Sequence, residues 1–427
     1  MNKPLLTVFV LFFVLLLLTA CSAPNPPAGN ISPPDLAEDK PAPGSLPEPA
    51  EPEPEDPPED PRPVFTYPDA VRGIYVTGHS AGGARFEKLL KLIDETELNA
   101  MVIDIKDDWG NITFKLNGTP FDEYSKPYIK DPQELIQTLA EHEIYPIARI
   151  VVFKDSTLAG KHPEYSFTQN GTIWRNGRGE AFVNPFIPEV WRHNVEIAKE
   201  AAKLGFQEIQ FDYVRFPEGF EKRDKALSFS MGDYSREKLT TRWQEEWETM
   251  PEEQRAESPP GYDPVQARVT AVTDFVKYAA QELRPLGVKV SVDIFGYSAT
   301  LPEAPGIGQN FLKISEQVDV ISSMIYPSHW TQGYFNIPKP DKEPYRLVKE
   351  YVAAEKEKFS QLAEPPVSRP WIQDFTAPWL GQGNYIVYGK DEVEAQIRAL
   401  NEGGIKEFLL WNPNNNYTAG VDYTLLD

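Results

Sequence analysis

Eight short apolar runs, each set apart from the next by a stretch of helical periodicity, constrain this chain more than any other feature. The runs lie at 71–77, 100–106, 145–152, 208–214, 288–295, 318–325, 370–375 and 405–411. They are rich in Val, Ile, Tyr and Phe, which pack well on a pleated surface. Amphipathic stretches read between them at 86–94, 132–142, 188–204, 264–283 and 392–400. Proline opens three of these, and Gly205 and Gly403–Gly404 stand where two of them stop. Alternating strands and helices imply a parallel sheet. Eight units predict a closed (β/α)8 TIM barrel over residues 64–427, of the α/β class. The extra length falls in three loops, 154–187, 215–263 and 326–345, with a helix expected at 236–248 inside the second. In a barrel all three open on the catalytic face.

The first 63 residues have a different character. Residues 1–20 carry Lys3 ahead of an apolar run from Leu5 to Leu18, the pattern of an export signal. The run ends Leu18-Thr19-Ala20-Cys21, which resembles the lipobox of bacterial lipoproteins, and Cys21 is the single cysteine of the chain. The resemblance implies cleavage before Cys21 and its lipidation, and hence a lipid-anchored, extracytoplasmic protein at the cell membrane. Residues 22–63 hold 15 prolines and 10 acids against 2 basic residues, with no aromatic residue. Such a segment cannot bury enough apolar surface to fold. The 21–63 linker is therefore expected to be an extended, disordered stalk.

Composition narrows the function classes. A net charge of −22 repels a phosphate backbone, so nucleic acid is not expected as a partner. One cysteine excludes a disulfide framework and a thiolate zinc site. The five histidines, at 79, 142, 162, 193 and 329, make no ligand-spaced pair. Neither a metal nor a cofactor is expected. Nothing in the pattern fixes an oligomeric state.

Chemistry is expected where the barrel strands end. Asp104, Asp212, Asp293 and Asp374 interrupt otherwise apolar strands, and Lys106, Arg149, Tyr213, Arg215, Tyr326, His329 and Trp411 lie at or near strand ends. A carboxylate in a core strand is costly unless it is paired. Several acids with cations at one barrel end suit glycoside hydrolysis, which uses two carboxylates. Tyr and Trp suit the C–H faces of sugars, and Trp109, Trp174, Trp330 and Trp379 are further platform candidates. Salt-bridged structural acids are the competing reading for Asp104 and Asp374.

Three segments carry a resemblance. GIYVTGHSAGG, NAMVIDIKDDWGNITF and NPFIPEVWRHNVEIAKEAAKLGFQEIQFDYVRFP are similar to the glycosyl hydrolase domain family found in bacterial lipoproteins, and the likeness spans roughly residues 70–420. The Asp212-Tyr213-Val214-Arg215-Phe216-Pro217 core is its most specific element. The family implies a barrel glycosidase with Asp212 as the strand-4 nucleophile. It implies Asp293 as acid/base at strand 5, where related families carry Glu. Asp374 matches a third acid that stabilises the transition state, and Lys106 and Arg215 would hold substrate or carboxylates. The expected substrate is an extracellular or cell-envelope polysaccharide.

Two rival readings remain at this point. One is a carbohydrate-binding barrel without activity. The other is a serine hydrolase, because Gly78-His79-Ser80-Ala81-Gly82 matches G-x-S-x-G between a strand and a helix, with Asp293 and His329 in a permissible triad order.

Overall fold

The computed structural model describes residues 63–424. The leader, Cys21 and all but the last residue of the Pro/Glu-rich linker lie outside the described residues.

Eight parallel strands form the centre: β1 (Arg72–Val76), β2 (Ala100–Lys106), β3 (Tyr145–Val151), β4 (Glu208–Asp212), β5 (Lys289–Phe295), β6 (Val320–Met324), β7 (Trp371–Gln373) and β8 (Phe408–Trp411). Each strand pairs with its sequence neighbours, β8 pairs with β1, and Trp371 pairs with Met324 to complete the ring. Every strand falls inside a window read from the sequence. Each connection carries a crossover helix, and some carry further short ones: the crossover helices are α1 (Phe86–Asp94), α2 (Pro132–Glu141), α3 (Pro188–Leu204), α4 (Pro264–Leu283), α5 (Phe311–Ser315), α6 (Pro344–Phe359) and α7 (Lys390–Glu402). Among the described residues no helix follows β8, so the eighth unit is a strand alone. Helical periodicity is expected in every gap between the runs, but it sets no bounds for α5, little more than one turn, or for α6, whose Leu347, Val348, Tyr351 and Val352 face the core.

Local chemistry starts and stops these helices. Asp131 and Asp263 accept backbone N–H bonds at the N-termini of α2 and α4, and proline occupies the next position in both. Gly205 ends α3 with φ +117°, a conformation a side chain resists.

Two apolar layers result. Val71, Tyr75, Val102, Ile147, Trp371 and Leu409 fill the barrel interior. A larger layer lies between the strands and the helices. At the N-terminal end, Arg369 binds Glu208 and Glu407, both at 2.8 Å, and receives no solvent. Tyr67 Oη contacts both Arg369 and Glu407. This ion-paired cluster serves barrel integrity, because catalytic groups gather at the other end.

The long 215–263 insertion folds onto the outside. Its helix Arg236–Thr249 is held to α4 by Arg242, which grips both oxygens of Asp274. That helix lines no part of the central cleft, whereas Arg215 and Glu218 at the start of the insertion do. No helix among the described residues is long and apolar enough to cross a membrane.

Candidate active site

A cleft of about 770 Å³ opens at the C-terminal ends of the strands. Its floor is built by register. On β4 and β5, Phe211 pairs with Val292, so Asp212 and Asp293 follow at the same level on adjacent strands. Adjacent strands run about 4.8 Å apart. Alternation sends both side chains inward, in step with Gln210 and Ser291. On β2 and β3, Asp104 and Arg149 are direct cross-strand partners.

Arg149 organises this floor. Its Nε and Nη2 donate to Asp212 Oδ2 at 3.0 and 2.5 Å, and Nη1 donates to Asp104 Oδ1 at 2.6 Å. Asp108 is the third carboxylate, reached by Nη2 at 3.2 Å. Burial opposes the guanidinium charge, but the three carboxylates more than restore it and hold its pKa high. Asp104 sits one layer deeper, where Tyr75 Oη donates to its other oxygen at 2.6 Å. Burial raises its pKa to about 6, with Arg149 opposing.

Asp212 is completed by its own backbone. Tyr213 has φ +53°, unusual for a bulky residue, and its N–H turns back onto Asp212 Oδ1 at 2.6 Å. Holding a non-glycine residue there costs on the order of 1–3 kcal/mol, and such strain concentrates at functional sites. Lys154 covers the Tyr213 ring at 3.8 Å and binds Asp108 at 3.0 Å. Burial raises the Asp108 pKa, but the paired Arg149 and Lys154 outweigh it, and the net direction is down.

Asp293 has a different environment. The Trp371 indole donates to its Oδ1 at 2.8 Å, and no cation pairs with it among the described residues. Burial pushes its pKa well above the ordinary carboxylate range, and the nearby Asp212 pushes the same way. Two carboxylates at one level are thus differentiated: one is ion-paired, the other favours its neutral acid form.

The cleft brings together eight of the residues expected from sequence: Asp212, Asp293, Arg149, Tyr213, Arg215, Tyr326, His329 and Trp411. Arg215 lies 4.8 Å from the ring centres of both Tyr213 and Phe295. Trp411 stacks on Tyr75 at 4.0 Å. His329 is exposed on the rim, with Nδ1 3.0 Å from Ser328 Oγ. Trp109 and Trp330 also line the cleft, whereas Trp174 packs against Phe182.

Three expected residues do not line the cleft: Asp104 lies beneath it on Arg149, and Lys106 and Asp374 stand elsewhere. Strand β2 shifts register between Asp104 and Lys106, where Asp104 faces Arg149 but Lys106 faces Ile150. This bulge turns Lys106 out of the barrel. It is fully buried in the outer layer, bound to Asp155 at 2.6 Å and Asn194 at 2.9 Å. Asp374 lies three residues past the inward Trp371, on the opposite parity. It receives Thr418 Oγ1 at 2.5 Å and Thr418 N at 2.9 Å, and so ties down the C-terminal segment. Neither lines the cleft.

The serine-hydrolase arrangement is not assembled. Ser80 bonds Thr77, His329 bonds Ser328, and Asp293 bonds Trp371. The glycines of that motif serve packing: a Cβ at Gly82 would stand 2.0 Å from the Tyr128 carbonyl oxygen.

Sequence reasoning passed over Asp108, Lys154, Glu180, Glu218 and Trp371, all of which line the cleft. Asp108 had a signal, since it lies two residues past the end of β2. The others come from loops or from the apolar body of a strand and carry none. Among the described residues no cluster of His, Cys, Asp or Glu has the arrangement of a metal site.

Comparison with solved structures matches the barrel. The glycoside hydrolase domain of PgaB (BpsB) from Bordetella bronchiseptica is 15% identical, with a TM-score of 0.54 over 80% of this chain and 94% of that one. The β-galactosidase from the psychrophilic Marinomonas ef1 is 12% identical, with a TM-score of 0.50 over 80% of this chain and 54% of that one. Identities this low speak for the fold alone. No curated protein matches the sequence. The family model described as “Putative glycosyl hydrolase domain” matches residues 73–417, most of the chain, and the protein belongs to that family of glycosidases.

Proposed function

We propose that this glycosidase cleaves an extracellular or cell-envelope polysaccharide with Asp212 and Asp293 as its two reacting carboxylates. The observation that carries the reading is their placement: level on adjacent strands at the cleft floor, one paired with Arg149, the other held by a neutral indole donor.

The chemistry follows from that asymmetry. Asp293, neutral, gives its proton to the glycosidic oxygen as the bond to the anomeric carbon breaks. Asp212 attacks that carbon and forms a glycosyl ester. Water then adds at the same carbon, returns a proton to Asp293 and releases Asp212. Arg149 and the Tyr213 N–H keep Asp212 oriented throughout. The aromatic walls of the cleft offer faces for the sugar rings. We place the enzyme outside the cytoplasm, tethered by lipid on Cys21 and held off the membrane by the Pro/Glu-rich linker. The lipobox-like end of the leader and the composition of residues 22–63 support this.

The test is reducing-end release from a panel of bacterial cell-wall and exopolysaccharide preparations, using the purified protein and its Asp212→Asn and Asp293→Asn variants. Release by the wild type, reduced at least about a hundredfold in each folded variant, is expected. Release that survives both substitutions would overturn the assignment.

A further inference from the structure

Beside the cleft a second groove of about 810 Å³ opens, and Arg178, His329 and Trp411 line both. Its outer wall is Trp379, whose surface is 63% exposed. A single exposed side chain is ordinary, but this one continues an aromatic wall, and a contiguous apolar patch marks a binding surface. Trp379 is not a loose side chain. It sits in the one-turn helix Pro378–Leu380, where proline fixes the first position and Asn384 Nδ2 donates to the Leu380 carbonyl at 3.0 Å. Its ring stacks on Phe375 at 5.9 Å and 22°. Phe375 in turn meets Tyr326, on the cleft wall, at 5.9 Å. Aromatic surface therefore runs from the carboxylate floor to the outer rim. Among the described residues the groove's lining contains no carboxylate; amides, a threonine and Arg178 supply its polar edge.

Stacked aromatic plates with amide and hydroxyl groups beside them have the chemistry that takes a sugar ring: C–H faces against the plates, hydroxyls toward the polar edge. We propose that this groove is a run of sugar-binding subsites continuous with the cleft, so that the substrate is a glycan chain several residues long, with Trp379 as the outer platform. The inference rests on the cleft being the place of glycan cleavage.

The experiment uses the purified Asp212→Asn protein, which retains the cleft but should not consume its ligand. The responding polysaccharide preparation from the reducing-end panel is fractionated by size, and affinity is measured from two sugar units upward. Affinity is expected to rise with chain length and then level off. Trp379→Ala is expected to reduce that rise about tenfold, the scale of losing one aromatic anchor, and Trp379→Phe to restore part of it. Thermal unfolding of both variants should match the parent, because the side chain is exposed. A length dependence unaltered by Trp379→Ala would overturn the groove while leaving the cleft intact. Failure of the parent to bind any glycan on the panel would overturn the cleft reading and the groove with it.

Discussion

The indole of Trp371, deep in the barrel interior, donates to Asp293 Oδ1 at 2.8 Å, and no residue closer in sequence than 78 positions makes that contact. A donor of this kind favours the ionised carboxylate and so works against the burial that raises the Asp293 pKa. Replacing it with Phe removes the favourable contact and leaves the burial. If Asp293 is the proton donor, the alkaline limb of kcat/KM against pH should move to higher pH in Trp371→Phe. A pH profile of reducing-end release checks this; a limb that moves down, or stays, contradicts the role.

Lys106 tests the bulge. Its ammonium and the Asp155 carboxylate are both fully buried and paired at 2.6 Å. Lys106→Met leaves Asp155 alone in the outer layer and is expected to cost about 3–5 kcal/mol of unfolding free energy. Adding Asp155→Asn removes the orphaned charge and should recover a large part of the loss. Urea unfolding of the two single variants and the double variant measures the coupling.

Asp374 separates packing from chemistry. Its carboxylate is engaged by Thr418, outside the cleft. Asp374→Asn is expected to keep kcat within about threefold of the wild type, whereas Asp293→Asn loses at least about a hundredfold. A loss in Asp374→Asn as large as that in Asp293→Asn, in a folded protein, would return it to the machinery.

Glu355 on α6 gives the fold a pH dependence. It is fully buried, with Tyr351 Oη donating to Oε1 at 2.8 Å and Ser368 Oγ donating to Oε2 at 2.7 Å. Burial raises its pKa from 4.5 to about 7. Because the folded value lies above the unfolded one, the folded state holds the proton more tightly. Its contribution to stability is full below about pH 4.5 and is lost as pH rises through about 7. The loss is about 3 kcal/mol. Glu355→Gln cannot ionise, so the wild type should lose stability relative to it across that window. Paired unfolding curves at pH 4.5 and 8 show the difference; a constant gap between the two proteins would contradict it.

What the sequence alone determined about this protein was the set of strands and most of the acids at their ends. Apolar runs, helix caps and helix stops are local properties, and a chain with eight such runs in alternation has few ways to bury them. Asp212 and Asp293 stood out because a carboxylate in an apolar strand needs a compensating partner. The direction each strand-end side chain faces was decided only in three dimensions. A one-residue bulge after Asp104 sends Lys106 outward, and one step of parity sends Asp374 away from the cleft, because inside and outside alternate residue by residue. Asp108 and Lys154 reach the site from loops, whose course no periodicity encodes. The difference between Asp212 and Asp293 is likewise tertiary. Their strands look alike in sequence, and it is Arg149 on one side and the Trp371 indole on the other that set the two carboxylates apart, through contacts that exist only once the barrel has closed.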